Sequence, residues 1–371
     1  MMRFIHKLDL VLLISVLLIT ITGSFTILSL YIDNLANIST SLIIKHILSI
    51  ILGVSVAIAI SHIDYRGIPK LMRPFFLSIV GVLILVLLIG NTVNGAQSWF
   101  NVAGLNIQPS EFAKIIVIII IAQYFSQYHH RLDNFLTIIA SAIPVGIIGI
   151  LIAIQPDFGT ASIIALVWVG MVIFGGIHYR HILILGAFTA VSGITIWNTF
   201  LQDYQKQRII TFFDPTIDPL GSGYNTIQVI KSVSAGGLMG NNGVVVGVPE
   251  IHTDFIFAGF SQQWGFIGVL VYFLLLGIIL WRILYIGIKS QDSFAKMLIL
   301  GVVLCLIIQT TINIGMNIGV LPITGVPLPF MSYGVNSMVS SWILIGIALS
   351  VHAHQTSKGT IFMKDNQDIF G

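Results

Sequence analysis

Several acids and bases of this sequence are set within apolar stretches, where charges need a chemical explanation. Asp254 is followed directly by Phe-Ile-Phe-Ala at 255–258, so its carboxylate must lie against an apolar surface. Burial raises the pKa of a carboxyl group, and a raised pKa makes a better proton acceptor near neutral pH. Asp254 is therefore a candidate general base. The same residues also suit a helix N-cap, with Thr253 or Asp254 beginning a short helix, and the pattern leaves both interpretations open.

Two further acidic positions lie at the edges of apolar stretches. Glu111 and Lys114 are three residues apart, so they would share one helix face. Charges within membrane helices usually face each other or a cavity, so this pair either fixes helix packing or lines a substrate cavity. Asp157, in Gln-Pro-Asp-Phe-Gly (155–159), either caps the helix that follows or joins these charges.

A long connection at 201–263 carries basic side chains, among them Lys206, Arg208 and Lys231. Arginine matches the geometry of phosphate groups, so these residues are candidates for binding a phosphate-bearing lipid. They are equally well explained as solvated charges attracted to anionic headgroups.

The segment 322–334 is the best sequence evidence for a cavity. It has three prolines in eight residues and therefore cannot continue a helix. Irregular backbone at membrane depth is tolerated only where it is buried in protein or lines a cavity. We therefore expect this segment, including Ser332, to lie beside the site.

The composition shows which elements must position these residues. Only 8% of the 371 residues are charged and 56% are hydrophobic, whereas a soluble domain has about 25% charged residues. Most of the exterior must then face lipid, and a membrane-spanning helix needs about 20 apolar residues. We predict an all-α, polytopic membrane protein with about ten transmembrane helices. The predicted spans are 10–32, 42–61, 75–91, 111–128, 134–154, 159–177, 182–200, 264–287, 296–318 and 334–353.

Charge also indicates an orientation and excludes other classes. With a cytoplasmic N-terminus, most of the 17 Lys and Arg residues fall on the inner side, as the positive-inside rule requires. We therefore expect both termini in the cytoplasm, one domain over 1–355 with the connection 201–263 outside, and a cytoplasmic tail at 356–371. The net charge of +3 without a basic tract does not favour nucleic-acid binding, and the single Cys305 excludes a disulfide framework.

Several short motifs follow one another along nearly the whole chain. They are Gly-Ala-Gln-Ser-Trp (95–99), Gln-Pro-Ser-Glu (108–111) with Lys114, Gln-Pro-Asp-Phe-Gly (155–159), Arg208 before Phe-Asp-Pro (213–215), Gly-Tyr (223–224), Gly-Gly (236–237), Pro-Glu-Ile-His-Thr-Asp-Phe (249–255), and Asn313 before 322–334. In this order the motifs resemble the SEDS family of bacterial cell-wall proteins, which comprises RodA, FtsW and SpoVE.

The resemblance implies a specific activity. Members are ten-span peptidoglycan glycosyltransferases of the bacterial cytoplasmic membrane, which polymerise lipid II, a disaccharide-peptide on undecaprenyl diphosphate, beside a class B penicillin-binding protein. Asp254 matches the family's essential acid, and Glu111, Lys114 and Asp157 match its other charged positions. The resemblance also implies that cations, here Arg208 and Lys231, stabilise the diphosphate leaving group, with Mg²⁺ or Mn²⁺ held by carboxylates as a further expectation.

The chain departs from the family pattern at several positions. Ser98 stands where the family usually has Arg, Gln262 and Gln263 where it has an acidic pair, and Val335 where it has Gly. These departures remove one cation and two anions, so a non-catalytic scaffold for a penicillin-binding protein stays an alternative. A flippase for the lipid-linked precursor is the other alternative. The absence of a visible internal repeat in the sequence favours an enzyme over a transporter.

Overall fold

The computed structural model describes residues 8–32, 40–93, 96–102, 105–128, 134–177, 180–184, 186–187, 198–199, 206, 210–219, 221, 223–241 and 248–355. Arg208, the tail 356–371 and most of the seventh predicted span lie outside these residues.

Helices dominate the fold. They are α1 (Leu10–Ile32), α2 (Thr40–His62), α3 (Met72–Ile89), α4 (Pro109–Tyr128), α5 (Phe135–Ile154), α6 (Phe158–Phe174), α7 (Tyr224–Ala235), α8 (Ile256–Lys289), α9 (Ser293–Asn317) and α10 (Val335–His354), with short 3₁₀ helices at Tyr65–Leu71 and Pro215–Ile217. Within the described part of the chain, eight helices are long and apolar enough to cross a membrane, and α6 is a shorter apolar helix. The prediction of an all-α polytopic membrane protein is confirmed. The count of ten spans stays a prediction, because the span 182–200 is mostly undescribed.

A small antiparallel sheet occupies the connection between α3 and α4, for which the sequence analysis predicted no element. Its strands are β1 (Asn91–Val93), β2 (Ala96–Val102) and β3 (Leu105–Ile107), in the order β1-β2-β3. The side-chain amide of Asn336 in α10 donates to the carbonyl of Asn106 at 2.7 Å. The sheet is therefore attached to the same end of the bundle at which α10 begins.

Three helices form the centre of the bundle, since α4, α9 and α10 are the most buried of the spans. α9 packs on α4, α2 packs on α10, and α1 packs on α8. The surrounding helices leave large apolar side chains exposed, such as Leu77, Leu88 and Leu274. Such a surface is stable only against lipid, which agrees with the composition.

α8 begins at Ile256, eight residues before the predicted start at 264. A kink divides it close to that predicted start. Gly265 has φ 63° and ψ −167°, so the helix is interrupted there. The turn 236–241 supplies the missing backbone hydrogen bonds: Phe266 N–H donates to Gly237 O at 3.0 Å and Ile267 N–H to Leu238 O at 3.1 Å. The residues before the kink are the first turns of α8, although the sequence analysis assigned them to the loop.

Candidate functional site

Asp254 lies in a tight turn at 249–255, immediately before α8. Glu250 adopts a left-handed conformation with φ 53°, and its carbonyl accepts from Thr253 N–H at 3.1 Å. The Asp254 carbonyl accepts from the side-chain amides of Asn313 at 2.8 Å and Asn317 at 3.2 Å. The main chain of Asp254 is thus fixed by α9, and its side chain plays no part in that attachment.

The carboxylate of Asp254 is not a helix cap. The residue at the N-cap of α8 is Phe255, and no side chain caps that end. None of the described residues donates a hydrogen bond to the carboxylate. The geometry thus excludes the capping interpretation and leaves the carboxylate available to a ligand.

The surroundings of Asp254 favour its protonated form. Burial, together with the negative charges of Glu250 and Asp157, raises the pKa of this carboxyl group to about 6, and burial is the largest of these causes. Gly325 lies against the carboxylate, since a Cβ added there would be 3.5 Å from Asp254 Oδ2. Its φ of +70° is a conformation that favours glycine. The result is a half-buried acid with a pKa close to the working range of a general base.

The segment 322–334 holds the Asp254 turn from the opposite side. The hydroxyl of Ser332 donates to Thr253 O at 2.6 Å and accepts from Leu328 N–H at 2.7 Å. Tyr333 N–H donates to His252 O at 2.8 Å. Ser332 is only 1% exposed, so its hydroxyl positions the turn and does not face an open cavity.

Glu111 and Lys114 form a buried ion pair. Lys114 Nζ lies 3.0 Å from both Glu111 carboxylate oxygens and donates to Gln309 Oε1 at 3.0 Å. Ser340 Oγ donates to Glu111 at 2.7 Å, and Gln309 Nε2 donates to Pro327 O at 3.0 Å. Both charged side chains are 3% exposed. Of the two interpretations left open, this geometry favours the fixing of helix packing, because the network joins α4, α9, α10 and the segment 322–334.

Asp157 has the capping role considered for it, and it also binds polar side chains at the start of α4 without pairing directly with Glu111 or Lys114. One carboxylate oxygen accepts from Thr160 N–H at 3.1 Å and caps α6. The other accepts from Ser110 Oγ at 2.8 Å and Gln108 Nε2 at 3.0 Å, at the start of α4. The N-terminal end of α6 in turn packs against 324–326, since a Cβ at Gly159 would be 2.6 Å from Thr324 O. The structure therefore brings Asp157 beside the Asp254 site as a local anchor.

The structure defines the basic side chains predicted to bind a phosphate group less well than the acidic ones. Lys231 lies on an exposed face of α7, and Arg208 is outside the described residues. A metal ion held by protein acids alone does not fit the described part of the site. No group of three or more His, Cys, Asp or Glu there could bind a metal, and both oxygens of Asp157 are already hydrogen-bonded.

The residues that depart from the family pattern lie in three elements, α8, β2 and α10. Gln262 is buried, and its side-chain oxygen accepts from Ser232 Oγ of α7 at 2.7 Å. Gln263 Nε2 is buried and has no hydrogen-bond partner among the described residues. Ser98 is buried in β2, and Val335 is the first residue of α10. The side chain of Gln262 thus attaches α7 to the part of α8 before the kink.

Sequence reasoning missed the polar row on α9. Gln309, Asn313 and Asn317 are spaced by four residues, so they lie on one helix face, and each donates to a carbonyl of the Asp254 turn or of 322–334. Three amides at this spacing in an apolar helix were the signal that could have found them, because polar groups in a membrane helix require partners.

Fold and site together define a class of protein. The chain is a multi-pass membrane protein with a half-buried carboxylate, which caps no helix, at one end of its helical bundle. The main chain of the turn that carries it is held by contacts from two other elements. We compared this architecture with known proteins.

A family model described as "Cell cycle protein", for FtsW, RodA and SpoVE, matches residues 9–357. The probable peptidoglycan glycosyltransferase FtsW of Thiomicrospira cyclica is 34% identical over 304 residues, which are 78% of this chain and 75% of that protein. The peptidoglycan glycosyltransferase MrdB of Escherichia coli K12 is 33% identical over 291 residues, with 76% and 78% covered. Stage V sporulation protein E of Bacillus subtilis is 33% identical over 311 residues, with 81% and 84% covered.

Solved structures have the same fold. A chain of a peptidoglycan synthase complex, described as coordinating polymerization and crosslinking, superposes with a TM-score of 0.81 at 26% identity, covering 94% of this chain and 99% of that one. The rod shape determining protein RodA of Thermus thermophilus gives a TM-score of 0.69 at 23% identity, with 95% and 98% covered. The chain belongs to the SEDS family of RodA, FtsW and SpoVE.

Proposed function

We propose that this protein is a peptidoglycan glycosyltransferase that polymerises lipid II at the outer face of the bacterial cytoplasmic membrane. One observation carries the proposal. The Asp254 carboxylate accepts no hydrogen bond from the described residues, its pKa is raised to about 6, and its turn is held from two sides. Two of the similar proteins are named as peptidoglycan glycosyltransferases, which supports the assignment. Use of the enzyme in elongation, division or sporulation is compatible with these names.

In the proposed reaction Asp254 acts as the general base. An acceptor sugar hydroxyl attacks the anomeric carbon of the lipid-linked donor, and Asp254 takes the hydroxyl proton. A new carbon–oxygen bond forms as the bond to the diphosphate breaks, and the leaving diphosphate takes the electron pair. A single displacement inverts the anomeric centre and gives a β-linked chain.

The leaving diphosphate develops negative charge, which nearby cations would stabilise. We assign this part to Lys231 and Arg208. Lys114 is not available for it, because its ammonium group is buried and paired with Glu111. Dependence on Mg²⁺ or Mn²⁺ stays a prediction. We assign no step to such an ion, since the described acids offer no set of ligands for it.

The proposal includes a partner and an orientation. A class B penicillin-binding protein would cross-link the glycan, as the resemblance to the family implies. The connection 201–263 would lie outside and both termini inside. The location of Asp254 at one end of the bundle favours an enzyme over a flippase, because transporter sites lie near the membrane midplane.

The test is glycan synthesis by the purified protein with a candidate partner, lipid II and either cation. We expect polymer from the native protein and at least a roughly 100-fold loss in Asp254→Asn and Asp254→Ala, the scale on which general bases contribute. Asp64→Asn is the matched control, because Asp64 is an exposed acid outside these motifs that caps a 3₁₀ helix. Undiminished polymer in both Asp254 variants contradicts the mechanism. No polymer with any bound partner favours the scaffold.

A further inference from the structure

Tyr333 is packed between two imidazole rings that the proposed mechanism does not use. Its ring centroid lies 5.6 Å from that of His252, in the Asp254 turn, and 5.9 Å from that of His46, in α2. His46 is 4% exposed. The three rings therefore form a tilted stack, with interplanar angles of 59° and 35°, that leads from the turn of the candidate base to α2.

The hydrogen bonds of His46 fix its ring. Ser24 Oγ in α1 donates its single proton to Thr20 O at 2.8 Å. His46 Nε2, at 3.1 Å from Ser24 Oγ, must then be the donor of that pair. His46 Nδ1 is left as a buried acceptor without a partner among the described residues. The imidazole is thus tied to α1 on one side and presents only ring contact to Tyr333.

We propose that His46 and Tyr333 are positioning residues that hold the Asp254 turn in place. Tyr333 contacts the ring of His252 in that turn, and His46 supports the ring of Tyr333. The proposal rests on the proposed function for its catalytic consequence. The main-chain bond from Tyr333 N–H to His252 O, at 2.8 Å, fixes one edge of the turn. The stack adds a side-chain contact that ties the same edge to α2.

α2 buries the face that carries His46, where Ser49 and Ala57 are 1% and 0% exposed, and turns its other faces to lipid. Its residues next to His46, Ile47 and Leu48, are 50% and 57% exposed. A buried imidazole with an unused acceptor is costly at such a position, so packing alone would favour an apolar residue. Support of the Tyr333 ring gives a physical reason for an aromatic side chain at His46.

The seating of the turn should affect proton uptake by Asp254. Two charged groups act on Asp254, namely Glu250 from its own turn and Asp157 at the N-cap of α6. His252 and Tyr333 are the other titratable side chains of the turn 249–255 and of the segment 322–334. α9 contributes the neutral amides of Asn313 and Asn317, which bind the Asp254 carbonyl. The Glu111–Lys114 pair lies deeper and is internally neutralised. Burial is the largest cause of the raised pKa, so loosening the turn hydrates the carboxylate and lowers the pKa.

The experiment uses the full-length protein with its partner and lipid II. Two readouts are the pH dependence of kcat/KM and the amide exchange of residues 250–255. In Tyr333→Leu we expect kcat/KM to fall about 10- to 100-fold, the acid midpoint to move from about pH 6 toward the value of a hydrated aspartate, and amide exchange to accelerate. His46→Ala should change all three in the same direction.

Two conservative variants and one control separate positioning from general damage. Tyr333→Phe and His46→Phe keep a ring in the stack, so both should keep the native midpoint and exchange protection. Tyr285→Leu removes an aromatic ring at the other end of α8, where it contacts Trp281 at 6.0 Å, and should leave all readouts unchanged.

The inference is overturned if Tyr333→Leu loses activity without a change in midpoint or exchange, or if Tyr333→Phe is as defective as Tyr333→Leu. A native protein that makes no polymer contradicts the proposed function instead. Amide exchange in the Tyr333 and His46 variants still decides the positioning role in that case.

Discussion

Asp254 combines two properties that rarely occur together in a membrane protein. Its main chain is held firmly, by Asn313, Asn317 and the neighbouring contacts of Ser332, while its carboxylate accepts no hydrogen bond from the described residues. A rigid support with an unused carboxylate is what a general base requires, because the base must be aligned before the substrate arrives. The neighbouring negative charges then adjust its pKa.

We predict that Glu250→Gln lowers the pH at which the enzyme becomes active. The base works as a carboxylate, so the native rate should be half-maximal near pH 6 and fall at lower pH. The charge of Glu250 raises the pKa of Asp254, and removing it lowers that pKa, which moves the acid limb down by up to about one unit. Initial polymerisation rates between about pH 5 and 8 measure the shift.

In the native protein Thr253 Oγ1 lies 3.2 Å from the Glu250 carboxylate. The Glu250→Gln variant keeps a side-chain oxygen that can accept this hydrogen bond. The variant therefore isolates charge from turn geometry. An unchanged or higher midpoint would contradict the electrostatic role given to Glu250.

At the level of elements, the site depends on irregular backbone supported by regular helices. α9 reaches both the turn 249–255 and the segment 322–334 through a row of amides. The Glu111–Lys114 pair connects the same helix to α4 and α10. A buried ion pair of this kind contributes specificity of packing more than net stability.

We expect Lys114→Met to destabilise the protein strongly, by about 3–5 kcal/mol, because Glu111 would be left as an uncompensated buried charge. The double variant Glu111→Gln/Lys114→Met removes both charges and should recover much of that loss. Thermal or denaturant unfolding in detergent micelles measures the difference. A double variant less stable than Lys114→Met would contradict the pairing.

We expect Gly265→Ala to disrupt the kink of α8. A Cβ there would lie 2.2 Å from Gly240 N, and the backbone has φ 63°. The turn 236–241 could then no longer supply its hydrogen bonds, so both stability and activity should fall. Gly277→Ala in the same helix is the matched control, since nothing lies within 4 Å of its Cβ. We expect it to be neutral or stabilising by up to about 1 kcal/mol.

At the scale of the whole molecule, the bundle places a polar reaction site at the end of a lipid-embedded protein. The central helices α4, α9 and α10 carry the internal polar groups, and the outer helices face lipid. A substrate that joins a polar sugar to a lipid tail would need both environments. The orientation of the bundle decides whether the site meets that substrate outside the cell.

We predict that Ser234→Cys, on the exposed face of α7, reacts with an impermeant maleimide in intact cells, and that Arg73→Cys reacts only after permeabilisation. Both positions are exposed. The native Cys305 is buried, so we expect it not to react with the maleimide. The reverse labelling pattern would overturn the proposed orientation and place Asp254 in the cytoplasm.

The sequence by itself determined the class of protein and most of the spans, and it singled out Asp254 as the candidate general base. These features depend on local properties: apolar length sets a membrane helix, and an acid within apolar residues is costly wherever the chain takes it. The ordered motifs identified the family for the same reason, since they can be recognised one by one along the chain.

Only the tertiary structure decided how the polar groups pair. Glu111 and Ser340 are 229 residues apart and Asn317 and Asp254 are 63 apart, and no periodicity predicts such contacts. The kink at Gly265 was missed because its backbone hydrogen bonds come from the turn 236–241. The capping interpretation of Asp254 failed because α8 begins one residue later, and the Asp254 main chain is held by the side-chain amides of Asn313 and Asn317. Packing chooses among the partners that the sequence offers, because a buried polar group is stable only with the partner that the assembled bundle brings to it.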